Sequence, residues 1–208
     1  MKHLSPGDLT RYGNALLTGR GLAVTVRLAR EVDAGALQAY FRALSPHSRY
    51  NRLMGAASEL PVGQLDAFTH WHDDGRFSVL ATVDADSDER IVGEARYALD
   101  EETLRLELGL SVADDWHGQG LGLALLANLH GRAAALGAEV MFGDTLRTND
   151  AMLALARKAG FAFSPSPGDW KQVRFEKRIG CVNSTAALWP KTITSSISLM
   201  RSVTIRSL

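Results

Sequence analysis

Three glycines at alternate positions, Gly118, Gly120 and Gly122, mark the stretch of this 208-residue chain best suited to bind a ligand. They lie in the segment WHGQGLG, between a strand-like run and a helix-like run. The first N–H groups of a helix have no partner within the helix, and the helix dipole adds partial positive charge there. Glycine has no side chain, so the backbone can approach a ligand closely. The pattern predicts an anion site suited to a phosphate or pyrophosphate, although a plain turn that needs glycine for positive φ stays open.

Two common phosphate-binding loops do not fit these glycines. A Walker loop ends in Gly-Lys followed by Ser or Thr, and no lysine follows the glycines here. A dinucleotide fingerprint has the spacing G-x-G-x-x-G near the start of a parallel sheet. This chain has G-x-G-x-G, and the loop lies past the middle of the sequence.

The elements on either side of the loop follow from the spacing of apolar residues. Every second residue of 106–112 is apolar, with Glu107, Gly109 and Ser111 between them. A period of two predicts a strand with one buried face. Over 121–136 the apolar residues recur at helical spacing, and most residues there are good helix formers. The loop therefore joins the end of a strand to the start of a helix.

Residues 117–122, HGQGLG, resemble motif A of the GNAT family of N-acetyltransferases, Q/R-x-x-G-x-G/A, with histidine in the first position. A second family motif is a strand followed by N-x-x-A/M-x-x-L and G-F. The run NDAMLALARKAGF at 149–161 matches it, after a strand-like run at 139–146. The resemblance covers residues 22–179 and implies an α/β (α+β) fold. In that fold a mixed, mostly antiparallel central sheet is flanked by helices, and a central pair of strands splays apart.

The resemblance implies acetyl-CoA as co-substrate and no metal. The loop amides would wrap the pyrophosphate, and free backbone groups at the end of the central strand would hold the pantetheine amides and the thioester oxygen. Asn149 would hold the pantetheine arm; a compatible alternative is a plain N-cap of the helix that follows. The cofactor-binding residues so implied are Leu110, Ser111, Val112, His117, Gly118, Gln119, Gly120, Leu121, Gly122, Leu123 and Asn149.

An amine acceptor begins as an ammonium, so the reaction needs a group that takes a proton. Glu107 is the first candidate, because it lies in an apolar strand at a position that carries a glutamate in the bacterial protein-lysine acetyltransferase branch. Asp144, near the end of the next strand, is the second, and Glu94 is the third. The alternatives are a solvated sheet face for Glu107 and a turn or ion pair for Asp144. Many family members carry a tyrosine as general acid where this chain has Ala156, but a thiolate with a pKa of about 8.5 can leave unaided.

The segment LSPHSRYNRLMG at 44–55 resembles one that leads into the substrate side in the same lysine acetyltransferase branch. The alternative is a second amphipathic helix with solvated arginines. We therefore predict direct acetyl transfer to a primary amine, and a protein lysine is the favoured acceptor. Cys181, outside the motifs, is a poor candidate for an acyl-enzyme nucleophile. A small-molecule amine acetyltransferase, a non-catalytic acyl-CoA-binding module and a nucleotide-binding regulator stay open.

The remaining elements follow from periodicity and turn residues. Asp33 is expected to cap a helix that Ser45-Pro46 ends. A polar turn should join two antiparallel strands, and a final strand should follow the break SPSPGD. The expected strands are 23–30, 77–84, 90–99 and 170–179, and the expected helices are 34–44 and 61–68.

Composition limits the other possibilities. The chain has 23 Lys and Arg against 23 Asp and Glu, so no basic field favours nucleic acid. It has one cysteine, no long apolar run and no secretory-type start, which favours a cytoplasmic protein without a membrane partner. His70 and His72, two residues apart, cannot share a metal on a helix.

The predicted domain boundaries follow shifts in composition. Residues 1–21 are expected to form an arm, 22–179 the N-acetyltransferase domain, and 180–208 a Ser/Thr-rich tail with no acidic residue. For the tail, a poorly packed segment is favoured; an added strand or translation outside the natural frame stays open.

Overall fold

The computed structural model of the chain describes residues 14–18, 21, 23–69, 76–85 and 88–180. These residues form eight strands: β1 (Asn14–Leu17), β2 (Ala23–Leu28), β3 (Arg76–Ala85), β4 (Asp88–Asp100), β5 (Arg105–Val112), β6 (Val140–Leu146), β7 (Ala162–Pro165) and β8 (Gln172–Arg178). The α-helices among them are α1 (Ala34–Ala43), α2 (Pro46–Leu53), α3 (Val62–Thr69), α4 (Leu121–Ala135) and α5 (Asp150–Lys158).

All eight strands belong to one sheet with the order β1-β2-β3-β4-β5-β6-β8-β7. Every neighbouring pair is antiparallel except β5 and β6, which are parallel. Helix α4 makes the crossover that a parallel pair requires. The predicted fold, a mixed and mostly antiparallel sheet flanked by helices, is confirmed.

The two parallel strands stay together over only part of their length. Their ladder consists of the pairs Arg105–Val140, Leu106–Met141 and Glu107–Phe142. Beyond Glu107, β5 remains paired with β4 as far as Val112, while β6 remains paired with β8 as far as Leu146. The central strands therefore part as the family resemblance implied, and the fork opens directly after Glu107.

In the part of the chain that the structure describes, one hydrophobic core holds the sheet against its helices. Residues from α1, α4 and the central strands are at most 2% exposed, among them Phe41, Leu80, Leu106, Leu125 and Phe175. Burying a side chain of this size contributes about 1.5–3 kcal/mol. The core fixes β5 and the start of α4 relative to each other, and these two elements carry the loop between them.

Two local predictions differ from the structure: ion pairs replace the expected helix cap at Asp33, and two short strands at the edges of the sheet were not predicted. Asp33 makes no side-chain cap on α1. Its carboxylate instead accepts the Arg30 N–H at 2.7 Å and pairs with the Arg27 guanidinium, because two arginines lie within reach. Strands β1 and β7 were not predicted; β1 lies inside the expected arm and pairs with β2.

Several predictions concern residues that are not described. His70, His72, residues 1–13 of the arm and residues 181–208 of the tail lie outside the described residues. Within the described part, no helix has both the length and the apolar character needed to span a bilayer.

Candidate active site

A cleft of about 1160 Å³ opens where β5 and β6 part. Its walls come from β5, the glycine loop, the first turns of α4 and α5, and the side of α2. The predicted site residues that line it are Glu107, Leu110, Ser111, Val112, His117, Gly118, Gly120, Leu121, Gly122, Leu123, Asp144 and Asn149. Gln119 does not line it; its buried side chain donates to the Asp115 carbonyl at 2.8 Å. The fork therefore brings both predicted carboxylates and the predicted cofactor residues to one place.

The glycine loop has the geometry of an anion cradle. Gly118 and Gly120 have φ values of +72° and +86°, and a Cβ at either position would meet nothing within 4 Å. The Ala124 N–H donates to the Gly120 carbonyl at 3.0 Å to begin α4. The amides immediately before Ala124 consequently have no acceptor within the helix. Glycine thus serves the turn, as the plain-turn alternative requires, and also leaves open space beside amides suited to a phosphate.

The open edge of β5 continues the cradle. Within the described part of the chain, residues 108–112 have no ladder partner on the side facing β6. The His117 ring donates from Nε2 to the Val112 carbonyl at 2.9 Å, which ties the loop to the end of the strand. Backbone groups on this edge are available to the amides and thioester of a pantetheine arm, because buried backbone polar groups require partners.

Asn149 lines the cleft and caps α5. Its Oδ1 accepts the Met152 N–H at 3.2 Å, and its Nδ2 donates to Thr145 Oγ1 at 3.0 Å. The capping alternative is therefore observed. Contact with a pantetheine arm stays a prediction for the same side chain.

The two carboxylates proposed for proton transfer differ in their partners. Glu107 is exposed at the fork, and no hydrogen bond joins its carboxylate to another described residue. Asp144 accepts two hydrogen bonds from Arg174, at 3.1 and 2.6 Å, and this pairing raises the pKa of the Arg174 guanidinium. The ion-pair alternative for Asp144 is therefore observed, whereas the role of Glu107 as proton acceptor stays a prediction.

Glu94, the third carboxylate, is fully buried and does not line the cleft. It accepts hydrogen bonds from Arg52 Nε at 2.6 Å, Arg52 Nη2 at 3.2 Å and Ser111 Oγ at 2.7 Å. Burial opposes the charge on Arg52, but the attraction and hydrogen bonds of Glu94 outweigh it and raise the pKa of Arg52. A carboxylate held in this way is unsuited to collect a proton from a substrate.

The segment at 44–55 forms α2, and its polar residues are structural anchors. Ser45 Oγ accepts the Ser48 N–H at 3.1 Å and so caps the helix. Asp114, at the end of β5, accepts the Ser45 N–H and Ser45 Oγ–H at 2.9 Å each and Ser48 Oγ–H at 2.6 Å. These bonds outweigh burial and lower the pKa of Asp114. The start of α2 is thereby bonded to Asp114, two residues before the glycine loop.

The arginines of this helix are partly buried and bonded to other residues, whereas the amphipathic alternative expects a solvated face. Arg52 pairs with Glu94, and Arg49 donates to the Arg42 carbonyl at 2.8 Å at the end of α1. The sequence shows the Ser-Pro start of α2 but contains no signal for Asp114, its partner 69 residues away. Among the described residues, no group of His, Cys, Asp and Glu could hold a metal ion.

Comparison with known proteins agrees with this geometry. Residues 40–161, more than half of the chain, match the Acetyltransferase (GNAT) family. The chain is 31% identical over 153 residues to an acetyltransferase of Pseudomonas aeruginosa, covering 74% of this chain and 82% of the relative. The fold resembles the GNAT domain of S. lividans PAT, with a TM-score of 0.73, 22% identity, and coverage of 81% of this chain and 97% of the other. It also resembles a phosphinothricin acetyltransferase from Sinorhizobium meliloti in complex with acetyl-CoA, with a TM-score of 0.57, 21% identity, and coverage of 78% and 92%.

The chain therefore belongs to the GNAT family of acetyltransferases. It is an acyl-CoA-dependent N-acyltransferase, and its acetyl donor is acetyl-CoA.

Proposed function

We propose that this acetyltransferase transfers the acetyl group directly from acetyl-CoA to a primary amine, and that a protein lysine is the favoured acceptor. The observation that carries the proposal is Glu107, an exposed carboxylate that accepts no hydrogen bond from a described residue, at the point where β5 and β6 part. The glycine loop, α2 and the end of β6 line the same cleft. A cofactor seated on the loop would point its thioester toward this carboxylate.

In the proposed reaction the chain contributes positions and one proton acceptor. The loop amides of 118–123 hold the pyrophosphate, and the open edge of β5 orients the pantetheine arm and the thioester oxygen. Glu107 takes a proton from the acceptor ammonium. The amine nitrogen then bonds to the thioester carbonyl carbon, the carbon–sulfur bond breaks, and the thiolate of CoA departs with the electron pair. The second proton that the nitrogen loses as the amide forms passes to solvent or to the departed thiolate. Ala156 offers no proton to the thiolate, which leaves as a weak base.

A protein lysine is supported by the segment at 44–55, because this segment resembles one that leads into the substrate side in the bacterial lysine acetyltransferase branch. In this chain Ser45 and Ser48 bond to Asp114, and α2 lines the cleft. The second candidate is a small-molecule amine. The similarity to a phosphinothricin acetyltransferase favours it, because that fold serves a small acceptor in the relative.

The test is an acetylation assay with labelled acetyl-CoA and a panel of acceptors. The panel contains proteins and peptides with free lysines, polyamines, amino acids and aminoglycosides, and products are read by mass spectrometry. We expect acetyl-lysine in a protein or peptide. A product found only on a small amine would replace the lysine proposal with the second candidate.

The assay also tests the competing class, an acyl-CoA-binding module without catalysis. Heat released on titration with acetyl-CoA, together with no transfer to any acceptor in the panel, would favour that class. Displacement of bound CoA by ATP would instead favour a nucleotide-binding regulator.

A further inference from the structure

A buried hydrogen-bonded chain runs behind the open half of β5. Ser111 Oγ donates to Glu94 at 2.7 Å, so its proton is not available to the Tyr40 hydroxyl 3.0 Å away. The Tyr40 O–H therefore donates to Ser111. Arg52 completes the chain by donating Nε and Nη2 to the two oxygens of Glu94. Four side chains from α1, β5, β4 and α2 are thus linked in one order: Tyr40, Ser111, Glu94 and Arg52.

The arginine of this chain also contacts β5 directly. A Cβ built on Gly109 would lie 3.1 Å from Arg52 Nη1 and 3.3 Å from Arg52 Cζ. The guanidinium therefore lies flat against the strand at a position where a side chain would force it to shift. Arg52 is 15% exposed and lines the cleft. Its position is fixed from behind by Glu94, which is 0% exposed.

Gly109 and Ser111 both lie beyond the last pair between β5 and β6. This part of β5 has β4 as its ladder partner on one side and the cleft on the other. A strand paired on one side alone is held by fewer hydrogen bonds, and even a small shift would misplace amides that must meet a ligand at hydrogen-bond distance. The hydrogen-bonded chain contacts the strand at Gly109 and Ser111, two of the five positions where this support is missing.

We infer that Glu94 and Arg52 are positioning residues for the acetyl-CoA site, which hold the unpaired half of β5 through Ser111 and Gly109. The inference rests on the proposed function, because it takes the open edge of β5 as the seat of the pantetheine arm. Glu94 acts through Ser111 and Arg52 and touches no substrate. Helix α2, which carries Arg52, thereby links the acceptor wall of the cleft to the cofactor edge.

The test uses the full chain and two variants that leave the backbone of β5 intact. Arg52→Lys keeps the charge but cannot donate to both oxygens of Glu94 and lie flat on Gly109. The double variant Tyr40→Phe/Ser111→Ala removes two linked hydroxyls together, so no buried hydroxyl is left without a partner. Asp33→Asn is the matched control, because Asp33 is also a buried carboxylate paired with an arginine but lies away from the cleft.

Two quantities are measured for each protein: the dissociation constant of acetyl-CoA by calorimetry, and amide hydrogen exchange in the peptide that contains 108–112. We expect both test variants to exchange faster in this peptide and to bind acetyl-CoA about tenfold more weakly, the size expected for the loss of one or two hydrogen bonds. In a kinetic assay the KM for acetyl-CoA should rise more than kcat falls. Asp33→Asn should lower the melting temperature and leave binding and this peptide's exchange unchanged.

Wild-type binding and exchange in both test variants would overturn the inference, and so would an equal loss of binding in Asp33→Asn. If Arg52→Lys does not fold, the double variant decides alone. Exchange is measured without ligand, so it decides the positioning role even if the wild type binds no acetyl-CoA. Failure of the proposed function appears separately, as a wild-type protein that binds acetyl-CoA and acetylates no amine.

Discussion

The two ends of the cleft are built from different chemical groups. At the glycine loop, the groups that face the cleft are main-chain amides placed by Gly118, Gly120 and the start of α4. At the other end they are side chains from strands and helices far apart in sequence, such as Arg52 and Asp144. A backbone site depends on local conformation, whereas a side-chain site depends on long-range packing and charge. Substitutions at the two ends should therefore fail in different ways.

The largest effect is expected at the side-chain end, from Glu107→Gln. The amide cannot take a proton, and loss of a general base typically lowers the rate by about 10²–10⁴-fold. We expect kcat to fall in this range while the acetyl-CoA dissociation constant stays unchanged. Steady-state kinetics and calorimetry measure the two quantities.

Asp144→Asn is the matched comparison for Glu107→Gln. Asp144 is already held by Arg174 through two hydrogen bonds, so its loss should lower kcat less. If Asp144→Asn proved the more damaging change and Glu107→Gln kept the wild-type rate, Asp144 and not Glu107 would be the proton acceptor.

The next effect belongs to the backbone end, where Gly120→Ala can be compared with Gly137→Ala. Gly120 and Gly137 flank α4 with φ values of +86° and +82°, and neither has an atom within 4 Å of a built Cβ. Both substitutions should cost about 1–2 kcal/mol of backbone strain, measured by urea unfolding. Only Gly120 lines the cleft. Gly120→Ala should therefore also weaken acetyl-CoA binding, by about tenfold if one amide contact is lost.

Gly137→Ala should leave acetyl-CoA binding unchanged, since the strain it introduces lies at the far end of α4. Equal affinities in the two variants would show that the loop conformation does not matter for the cofactor. The anion-cradle interpretation of the loop would then be wrong.

The comparison also explains how much could be predicted from the sequence. The strand at 106–112, the glycine loop and the helix from Leu121 are local patterns, and each was predicted within a residue or two of its observed bounds. The parting of β5 and β6 came from the family resemblance, because no local pattern marks where a ladder ends. The backbone end of the cleft was thus largely predictable.

The side-chain end of the cleft was not predictable, because the side chains that interact there are distant in sequence. Arg52 and Glu94 are 42 residues apart, and Asp114 and Ser45 are 69 apart. An arginine on a short polar helix indicates a solvated face, and only the tertiary structure shows that Arg52 packs against β5 at Gly109. The error at Asp33 has a local cause instead: its carboxylate pairs with Arg27 and Arg30, six and three residues away, and does not cap α1.

A smaller effect is expected at Asn149, which lies between the two kinds of site. Asn149→Ala removes the cap of α5 and should lower stability by about 1 kcal/mol. Asn149→Ser keeps a cap oxygen for the Met152 N–H but is too short to replace the amide donor. We expect the serine variant to restore stability yet bind acetyl-CoA more weakly than the wild type. Full recovery of both quantities in the serine variant would leave Asn149 with the capping role alone.

The last effect lies outside the cleft and concerns stability rather than activity: it is the acid response of Asp33. Burial would raise the pKa of this carboxyl, but hydrogen bonds from Arg27 and Arg30 outweigh it and lower the pKa from 3.8 to about 2. Because the folded-state pKa lies below the unfolded-state value of about 3.9, the stabilisation is complete above that value and is lost as the pH falls toward 2. Urea unfolding of wild type and Asp33→Asn should show a stability difference at neutral pH that shrinks over this acid range. A difference that stayed constant down to the lowest pH would mean that the Arg27 pair contributes nothing through ionisation, and that Asp33 acts through hydrogen bonds that an amide can also make.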